Sequence, residues 1–237
     1  GGLGAVGDEC NSGWFSHHIL GRFVSRLTAA GIDTYVFFHK TAESNIYGRK
    51  ISISSIVSDL RGATRLVVHT TDDVNRLKKY GLIDNVVQIP HGLPMAPAFD
   101  PAMVKRFLGM RYASPLIASY GFLLPHKGIS ELILAFGLIR ADHPNAKLLL
   151  LNGEYPAPPS ADEVRLCRQL IIDLGLEADV VLITEYMDNE DVTMMLHGAD
   201  VIVYPYQDTE ESASGAVRFG LAALRPVAVT PLPIFKD

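Results

Sequence analysis

Three segments of the sequence carry side chains that could take part in chemistry, and each follows a short apolar run. Lys127 lies in SYGFLLPHKG (119–128), between a predicted strand and an amphipathic helical pattern. Glu211 lies in YPYQDTEESASG (204–215), just before a predicted helix. His39 directly follows TYVFF. A lysine in a loop after a strand could neutralise a phosphate, and an imidazole at the end of a strand could donate a hydrogen bond or exchange a proton.

Each of these residues also has an ordinary structural interpretation. Lys127 could be a solvated loop lysine, and His39 could be a polar residue that ends a strand. Glu211 could cap the helix that begins near Ser214, because carboxylates are favoured at helix N-termini. The N–H groups of that helix start, near Ser214 and Gly215, would equally suit an anion. Residue types alone therefore leave both interpretations open.

Short apolar runs rich in β-branched residues alternate with helical patterns along the chain, which predicts an α/β fold with parallel sheets. Several runs are apolar at every position, as in strands that are covered on both faces. The clearest helix repeats apolar residues at i, i+3, i+4, i+7 spacing from Ile129 to Ile139. The predicted strands are Thr34–Phe38, Arg65–His69, Val86–Ile89, Leu116–Tyr120, Lys147–Leu151, Val180–Thr184, Val201–Tyr204 and Val227–Thr230.

A proline-rich stretch predicts a boundary between two Rossmann-like domains. The segment IPHGLPMAPAFDP (89–101) holds four prolines, each of which fixes φ and removes a backbone donor. We expect a first domain at residues 1–92, a linker at 93–109 and a second domain at 110–237. Because ligands of open parallel sheets bind at the carboxyl ends of the strands, the chemistry is expected just after each strand.

Composition excludes several classes of function. The net charge of −5 and the pI near 5.9 argue against a nucleic-acid partner. Cys10 and Cys167 form no C-x-x-C pair, so neither a disulfide framework nor a zinc site is predicted, and a reducing cytoplasm is favoured. No histidine pair has H-E-x-x-H spacing, and metal ligation is not expected.

Taken in order, the motifs resemble the retaining glycosyltransferases of family four, which have the two-domain GT-B fold. SYGFLLPHKGISELILAF (119–136) is similar to the strand, loop and helix of the lysine–glycine pair. ESASGAVRFGLAALRPVAVT (211–230) resembles the paired-glutamate region, and FFHKT (37–41) resembles the strand whose histidine faces the cleft. The similarity covers most of residues 14–234.

The resemblance implies a role for each matching residue. His39 would lie near the reacting carbon, Lys127 would bind the donor diphosphate, and Glu211 would contact hydroxyls of the transferred sugar. The stretch Thr184–Met187 would flank the base. No metal and no cofactor are implied beyond the donor itself. The implied donor-binding residues are Gly121, Phe122, Lys127, Thr184, Tyr186, Met187, Glu211, Ala213, Ser214 and Gly215.

Two positions depart from the pattern of this family. Phe122 stands where the family usually has arginine, and Phe219 stands where the second glutamate normally serves the donor ribose. Family members also have further strands before FFHKT and helices after PLPIF, so we expect a chain truncated at both ends.

The resemblance implies transfer of a hexose, with mannose as a candidate, with retention from a nucleoside diphosphate sugar. The acceptor would be a hydroxyl of a glycan or lipid-linked molecule in polysaccharide biosynthesis. The reaction would take place in the cytoplasm or peripherally at the inner membrane face. A non-catalytic GT-B-like module is the alternative, favoured by Phe122 and Phe219, and a nucleotide-sugar epimerase is a further one.

Overall fold

A computed structural model describes residues 17–46, 49–95, 97–207, 209 and 211–236. The chain divides into two compact units. The first comprises Gly1–His91, Glu210–Ala213 and Lys236–Asp237, and the second comprises Gly92–Thr209 and Ser214–Phe235. The predicted α/β class with parallel sheets is confirmed. Cys10 lies outside the described residues.

The first unit contains a three-stranded parallel sheet of order β1-β4-β5 and a separate antiparallel pair, β2-β3. Its strands are β1 (Tyr35–Phe37), β2 (Ser44–Ile46), β3 (Arg49–Ile51), β4 (Arg65–Val68) and β5 (Val86–Gln88). Its helices are α1 (His17–Ala29), α2 (Val57–Leu60) and α3 (Thr71–Lys79). The core of the sheet is built on Leu66 and Val68, which are fully buried.

The second unit contains a five-stranded parallel sheet of order β10-β9-β6-β7-β8. Its strands are β6 (Leu116–Phe122), β7 (Lys147–Gly153), β8 (Val180–Ile183), β9 (Val201–Tyr204) and β10 (Val227–Val229). Its helices are α4 (Pro101–Phe107), α5 (Ile129–Asp142), α6 (Pro158–Asp173), α7 (Asn189–His197) and α8 (Gly215–Ala222).

Strand β7, which lies between β6 and β8, shows why its sequence is apolar at consecutive positions. Leu148 and Leu150 belong to a core cluster with residues of α5 and α6, whereas Leu149 and Leu151 belong to a cluster with residues of α7 and α8. All four leucines are essentially buried. Both faces of the sheet are therefore covered, as in parallel sheets generally.

The predicted strands are present, with ends that differ by at most two residues, but helix α4 and the strands β2 and β3 were not predicted. Helix α4 lies inside the stretch that we interpreted as a linker. Asp100 caps it by accepting a hydrogen bond from the Ala102 N–H at 2.8 Å, and Pro101 takes the first helical turn, where proline is tolerated. The β2-β3 pair was also missed. Among the described residues, no helix is both long and apolar enough to span a membrane.

Candidate functional site

The loops that follow β6 and β9 leave the same edge of the sheet, because the two strands are parallel neighbours. A backbone hydrogen bond joins these loops, from the Gln207 N–H to the His126 carbonyl oxygen at 2.8 Å. The two segments that sequence analysis singled out in the second unit therefore meet at one place.

Lys127 ends a short 3-10 turn, Pro125–Lys127, in the loop after β6. Its side chain is largely buried, and the Nζ atom lies 4.1 Å from the ring centroid of Tyr206. This is a cation–π contact, which is strongest where water is excluded. The ammonium group is therefore held in a defined position at the edge of the sheet, unlike a solvated loop lysine.

Two glycines allow the loops to approach so closely. Gly128 has φ of +70°, and a Cβ atom added there would lie 2.1 Å from the Pro205 carbonyl oxygen. Gly121 has φ of +139°, and an added Cβ atom would lie 3.4 Å from the Cβ atom of Ala216. Both backbone conformations favour glycine. The G-x6-G spacing of SYGFLLPHKG thus serves the packing of the lysine loop against the loop after β9 and the start of α8.

The start of α8 forms the other half of this site. Ser214 caps the helix by accepting a hydrogen bond from the Val217 N–H at 3.3 Å, and its Oγ atom lies 3.1 Å from the Tyr206 hydroxyl oxygen. Gly215 opens the helix, and a Cβ atom added there would lie more than 4 Å from every atom of the described residues. The first N–H groups of a helix lack intrahelical partners and favour anions. The helix start therefore has open space where an anion could bind.

Tyr204 fixes α8 on the sheet. Its ring is fully buried, and its hydroxyl donates a hydrogen bond to the Ala216 carbonyl oxygen at 2.8 Å. Burial raises the pKa of this phenol, so the hydroxyl remains a donor. Gly220 lies so close that an added Cβ atom would come within 2.8 Å of the Tyr204 hydroxyl oxygen.

Further predicted residues follow β8. The Thr184 hydroxyl accepts a hydrogen bond from Arg168 Nη2 at 3.2 Å, Met187 packs against the core, and Tyr186 is 79% exposed. Phe122, at the end of β6, makes an edge contact with Tyr155 at a centroid distance of 5.2 Å. An apolar and aromatic surface thus continues along the sheet edge from the lysine loop.

The remaining predicted residues, His39, Glu211 and Ala213, belong to the first unit. The segment of Glu211 and Ala213 is held there by Ser212, whose Oγ atom donates a hydrogen bond to Asp73 Oδ1 at 2.8 Å. The structure therefore groups Lys127 with the glycines and the helix start, and it assigns these three residues to the other unit.

The first unit has a polar cluster that sequence analysis missed. His39, His69 and His91 follow β1, β4 and β5, and the His69 and His91 rings are stacked with centroids 3.8 Å apart. Only His39 was considered from the sequence, because the three residues are far apart along the chain. The signal that could have found the cluster was the position of each histidine at the carboxyl end of a predicted strand, with His69 as its last residue and His39 and His91 within two residues of it.

The two unusual phenylalanines have different surroundings. Phe219 packs against Tyr120 at a centroid distance of 4.9 Å and against the core of the second unit. Phe122 is 41% exposed. An aromatic contact with the core therefore occupies the position where a ribose-binding glutamate was expected.

Two other reactive residue types serve packing. Cys167 is buried, and its burial, together with the nearby Glu163 carboxylate, raises its pKa to about 12. The thiol is therefore unreactive near neutral pH. His197 is also buried, with Nδ1 2.7 Å from the Thr193 carbonyl oxygen.

The fold and this site define a class of protein, the GT-B type, with two α/β units and polar loops at the carboxyl ends of parallel strands. A family model described as "Glycosyl transferases group 1" matches residues 105–228, which is more than half of the chain. The chain therefore belongs to the group 1 glycosyl transferases. No curated protein sequence matches it.

Several solved structures share the fold at low sequence identity. The Anabaena protein Alr3699/HepE in complex with UDP is 15% identical with a TM-score of 0.68, and the match covers 90% of this chain and 57% of that one. Sucrose-phosphate synthase from Thermosynechococcus elongatus is 19% identical with a TM-score of 0.67, covering 86% and 52%. The pneumococcal O-GlcNAc transferase GtfA in complex with UDP and GlcNAc is 13% identical with a TM-score of 0.66, covering 92% and 41%. The chain thus spans about half the length of these proteins.

Proposed function

We propose that this chain carries the donor-binding part of a transferase that moves a hexose from a nucleoside diphosphate sugar. One observation carries the proposal. The Lys127 ammonium group and the start of α8 lie in joined loops at one sheet edge, linked through Tyr206, which contacts both Lys127 and Ser214. A positive charge and a helix N-terminus side by side form a site suited to a diphosphate.

In the proposed reaction, these groups act on charge that develops in the transition state. The bond between the sugar C1 atom and the diphosphate oxygen breaks, and negative charge grows on the leaving phosphate. Lys127 and the N–H groups of Gly215 and Ala216 would stabilise the transition state, in which this charge is larger, more strongly than the ground state. This difference accelerates the reaction. In this proposal Lys127 and the backbone N–H groups take the role of the cation, and no metal ion at the diphosphate is invoked.

The proposed transfer retains the configuration at C1. The acceptor hydroxyl oxygen bonds to C1 on the face that the diphosphate leaves, and the hydroxyl proton passes to the leaving phosphate oxygen. Atoms and charge balance without a covalent intermediate on the protein. His39 and Glu211 are proposed to contact the reacting carbon and the sugar hydroxyls, as the family resemblance implies.

The base is proposed to lie beside Thr184–Met187, where the exposed Tyr186 ring offers a stacking surface. Since HepE and GtfA are described in complex with UDP, uracil is the first base to test. GDP-mannose remains the other candidate donor. A glycan or lipid-linked hydroxyl, reached in the cytoplasm or at the inner membrane face, is the proposed acceptor.

A second candidate is a non-catalytic GT-B-like module. Phe219 favours it, because its contact with Tyr120 and the core leaves an apolar side chain where the family binds ribose. Such a module would not transfer sugar even if it bound a nucleotide. An epimerase is distinguished by its product, since it would convert the nucleotide sugar without an acceptor.

The proposal is tested by thermal unfolding of the chain with UDP, GDP or ADP. A nucleotide at about 100 times its dissociation constant should stabilise the fold by about 2.7 kcal/mol if it binds only the folded state. We expect one nucleotide to raise the Tm and Lys127→Ala to abolish most of that rise.

Arg165→Ala is the matched control, since it also removes one positive charge from the second unit. The Arg165 side chain is 71% exposed and forms a surface ion pair with Asp162, so the rise in Tm should persist. A rise that survives in Lys127→Ala, or no rise with any nucleotide, would contradict the proposed diphosphate site.

A further inference from the structure

The three histidines of the first unit converge because their strands are neighbours. His39, His69 and His91 follow β1, β4 and β5, which lie side by side in that order. The ring centroids are 5.3 Å apart for His39 and His69, 3.8 Å for His69 and His91, and 6.0 Å for His39 and His91. One ring nitrogen from each residue lies within 4.8 Å of the other two.

The backbone contact of His69 selects the tautomer that suits a metal. Its Nδ1 atom lies 2.9 Å from the Ile89 carbonyl oxygen. A carbonyl can only accept, so Nδ1 carries a proton, and in the neutral imidazole the lone pair is then on Nε2. Histidines that bind metals commonly donate their other N–H to such a carbonyl.

The Nε2 atom of His69 is also buried, and it has no hydrogen-bond partner among the described residues; His69 is only 8% exposed. Leaving a buried polar atom unsatisfied costs about 1–3 kcal/mol. A ligand that accepts the lone pair would remove this cost. The buried atom is therefore a second observation, independent of the clustering, that points to a cation.

We propose that His39, His69 and His91 bind one divalent transition-metal ion of the Zn²⁺ type. Neutral imidazoles suit Zn²⁺, Cu²⁺ and Ni²⁺. An anion would instead need an N–H donor at His69 Nε2, and since the Nδ1 proton is already donated to Ile89, His69 would have to be a buried cation. The cluster thus favours a metal over a phosphate.

Modest side-chain movement would complete the coordination. With Zn–N distances of about 2.0–2.1 Å, three nitrogens in a tetrahedral site lie roughly 3.4 Å apart. His39 is exposed and His91 is half-buried, so these two side chains can rotate toward the buried His69. Three protein ligands leave a fourth position open to water or to an oxygen ligand, as in catalytic zinc sites. The metal site shares His39 with the proposed contact to the reacting carbon, but it shares no residue with the diphosphate site, because Lys127 and the start of α8 belong to the second unit.

The test is a Co²⁺ titration of the metal-free, untagged 237-residue chain, followed by visible absorption. We expect one equivalent to bind with the bands of tetrahedral or five-coordinate Co²⁺, and Zn²⁺ to displace it. His39→Ala and His91→Ala should each weaken Co²⁺ binding by about 10-fold or more, because the loss of even an outer-shell partner costs about that much metal affinity.

His143→Ala is the control, because His143 is an exposed histidine of the second unit. Its Co²⁺ affinity should match that of the unaltered chain. The two test variants change residues that are not fully buried, and circular dichroism would verify that they fold. Absence of saturable Co²⁺ binding, or binding that both variants retain in full, would overturn the proposal.

Discussion

In both units, polar side chains follow the carboxyl ends of parallel strands, yet the chemistry at these two sheet edges differs. At the edge of the second unit, Lys127 and the start of α8 supply positive charge from an ammonium group and backbone N–H groups. At the edge of the first unit, His39, His69 and His91 supply lone pairs. One edge is therefore suited to an anion and the other to a cation.

The comparison shows how little of this chemistry the fold itself decides. Parallel strands bring the ends of distant segments together, and the residues that follow each strand then determine what can bind. The residues that hold each of these edges in place also differ. In the second unit, glycines and tyrosines hold the loops closely, whereas a buried carboxylate, Asp73, organises the start of α3 in the first unit.

The largest effect is expected from a substitution that disrupts the sheet edge of the second unit. Gly128→Ala forces a Cβ atom to within 2.1 Å of the Pro205 carbonyl oxygen at a φ of +70°. Backbone strain and overpacking together should destabilise the fold by about 3 kcal/mol. Urea denaturation would measure the loss, and the nucleotide response should disappear with it.

Gly175→Ala separates steric contact from backbone strain. Gly175 has φ of +64°, but an added Cβ atom there would meet nothing within 4 Å. We expect a loss of only about 1 kcal/mol and an unchanged nucleotide response. Equal losses in the two variants would show that the close contact of the lysine loop does not support the site.

The corresponding change in the first unit is Asp73→Asn. The fully buried carboxylate accepts hydrogen bonds from Thr70 at 2.7 Å, Ser212 at 2.8 Å and Arg76 at 3.2 Å. It also accepts one from Thr41. An amide replaces one acceptor oxygen with a donor, and the resulting mismatch should destabilise the unit by about 2 kcal/mol.

Asp72→Asn is the matched control for that variant. Asp72 is the exposed neighbour of Asp73 in the first turn of α3, where a carboxylate contributes less than about 1 kcal/mol through the helix dipole. Chemical unfolding followed by circular dichroism would compare the two. A loss in Asp73→Asn no larger than in the control would contradict the role of this network.

The smallest expected effect is on the pH dependence of stability in the second unit. Burial alone would raise the pKa of Asp179, but hydrogen bonds and charges from Lys147 and Arg140 outweigh it and lower the pKa below its usual 3.8. A lowered folded-state pKa adds stability above the unfolded pKa, and this stability is lost as the pH falls through the folded-state value.

Asp179→Asn should therefore cost roughly 1–2 kcal/mol at neutral pH, and the difference from the unaltered chain should shrink at about pH 3. Urea midpoints at the two pH values would show it. The control is Asp162→Asn, whose carboxylate is 68% exposed and should contribute less than about 1 kcal/mol at either pH. A difference that does not depend on pH would rule out the lowered pKa.

Much of the fold could be predicted because the buried strands have a strong signal. Runs such as Lys147–Leu151 are apolar at consecutive positions, which few other elements allow. Helix α4 was missed because prolines dominated the interpretation, although Asp100 followed by Pro101 is a helix-start signal. The β2-β3 pair has short polar strands with no alternation to detect.

The site could be predicted only where its residues are close along the chain. The lysine loop and the start of α8 each lie within one segment, so their motifs could be recognised. The histidine cluster depends on the strand order β1-β4-β5, which no local pattern reveals. The contact between Lys127 and Tyr206 likewise arises from the pairing of β6 with β9.

The most direct test of the central claim is hydrogen exchange of the amides with and without saturating UDP, GDP or ADP. The account predicts that the nucleotide that binds will protect peptides covering residues 121–128 and 213–217, with no change around His69. Protection elsewhere that leaves both of these segments unchanged would contradict the claim that a nucleoside diphosphate binds where the lysine loop meets the start of α8.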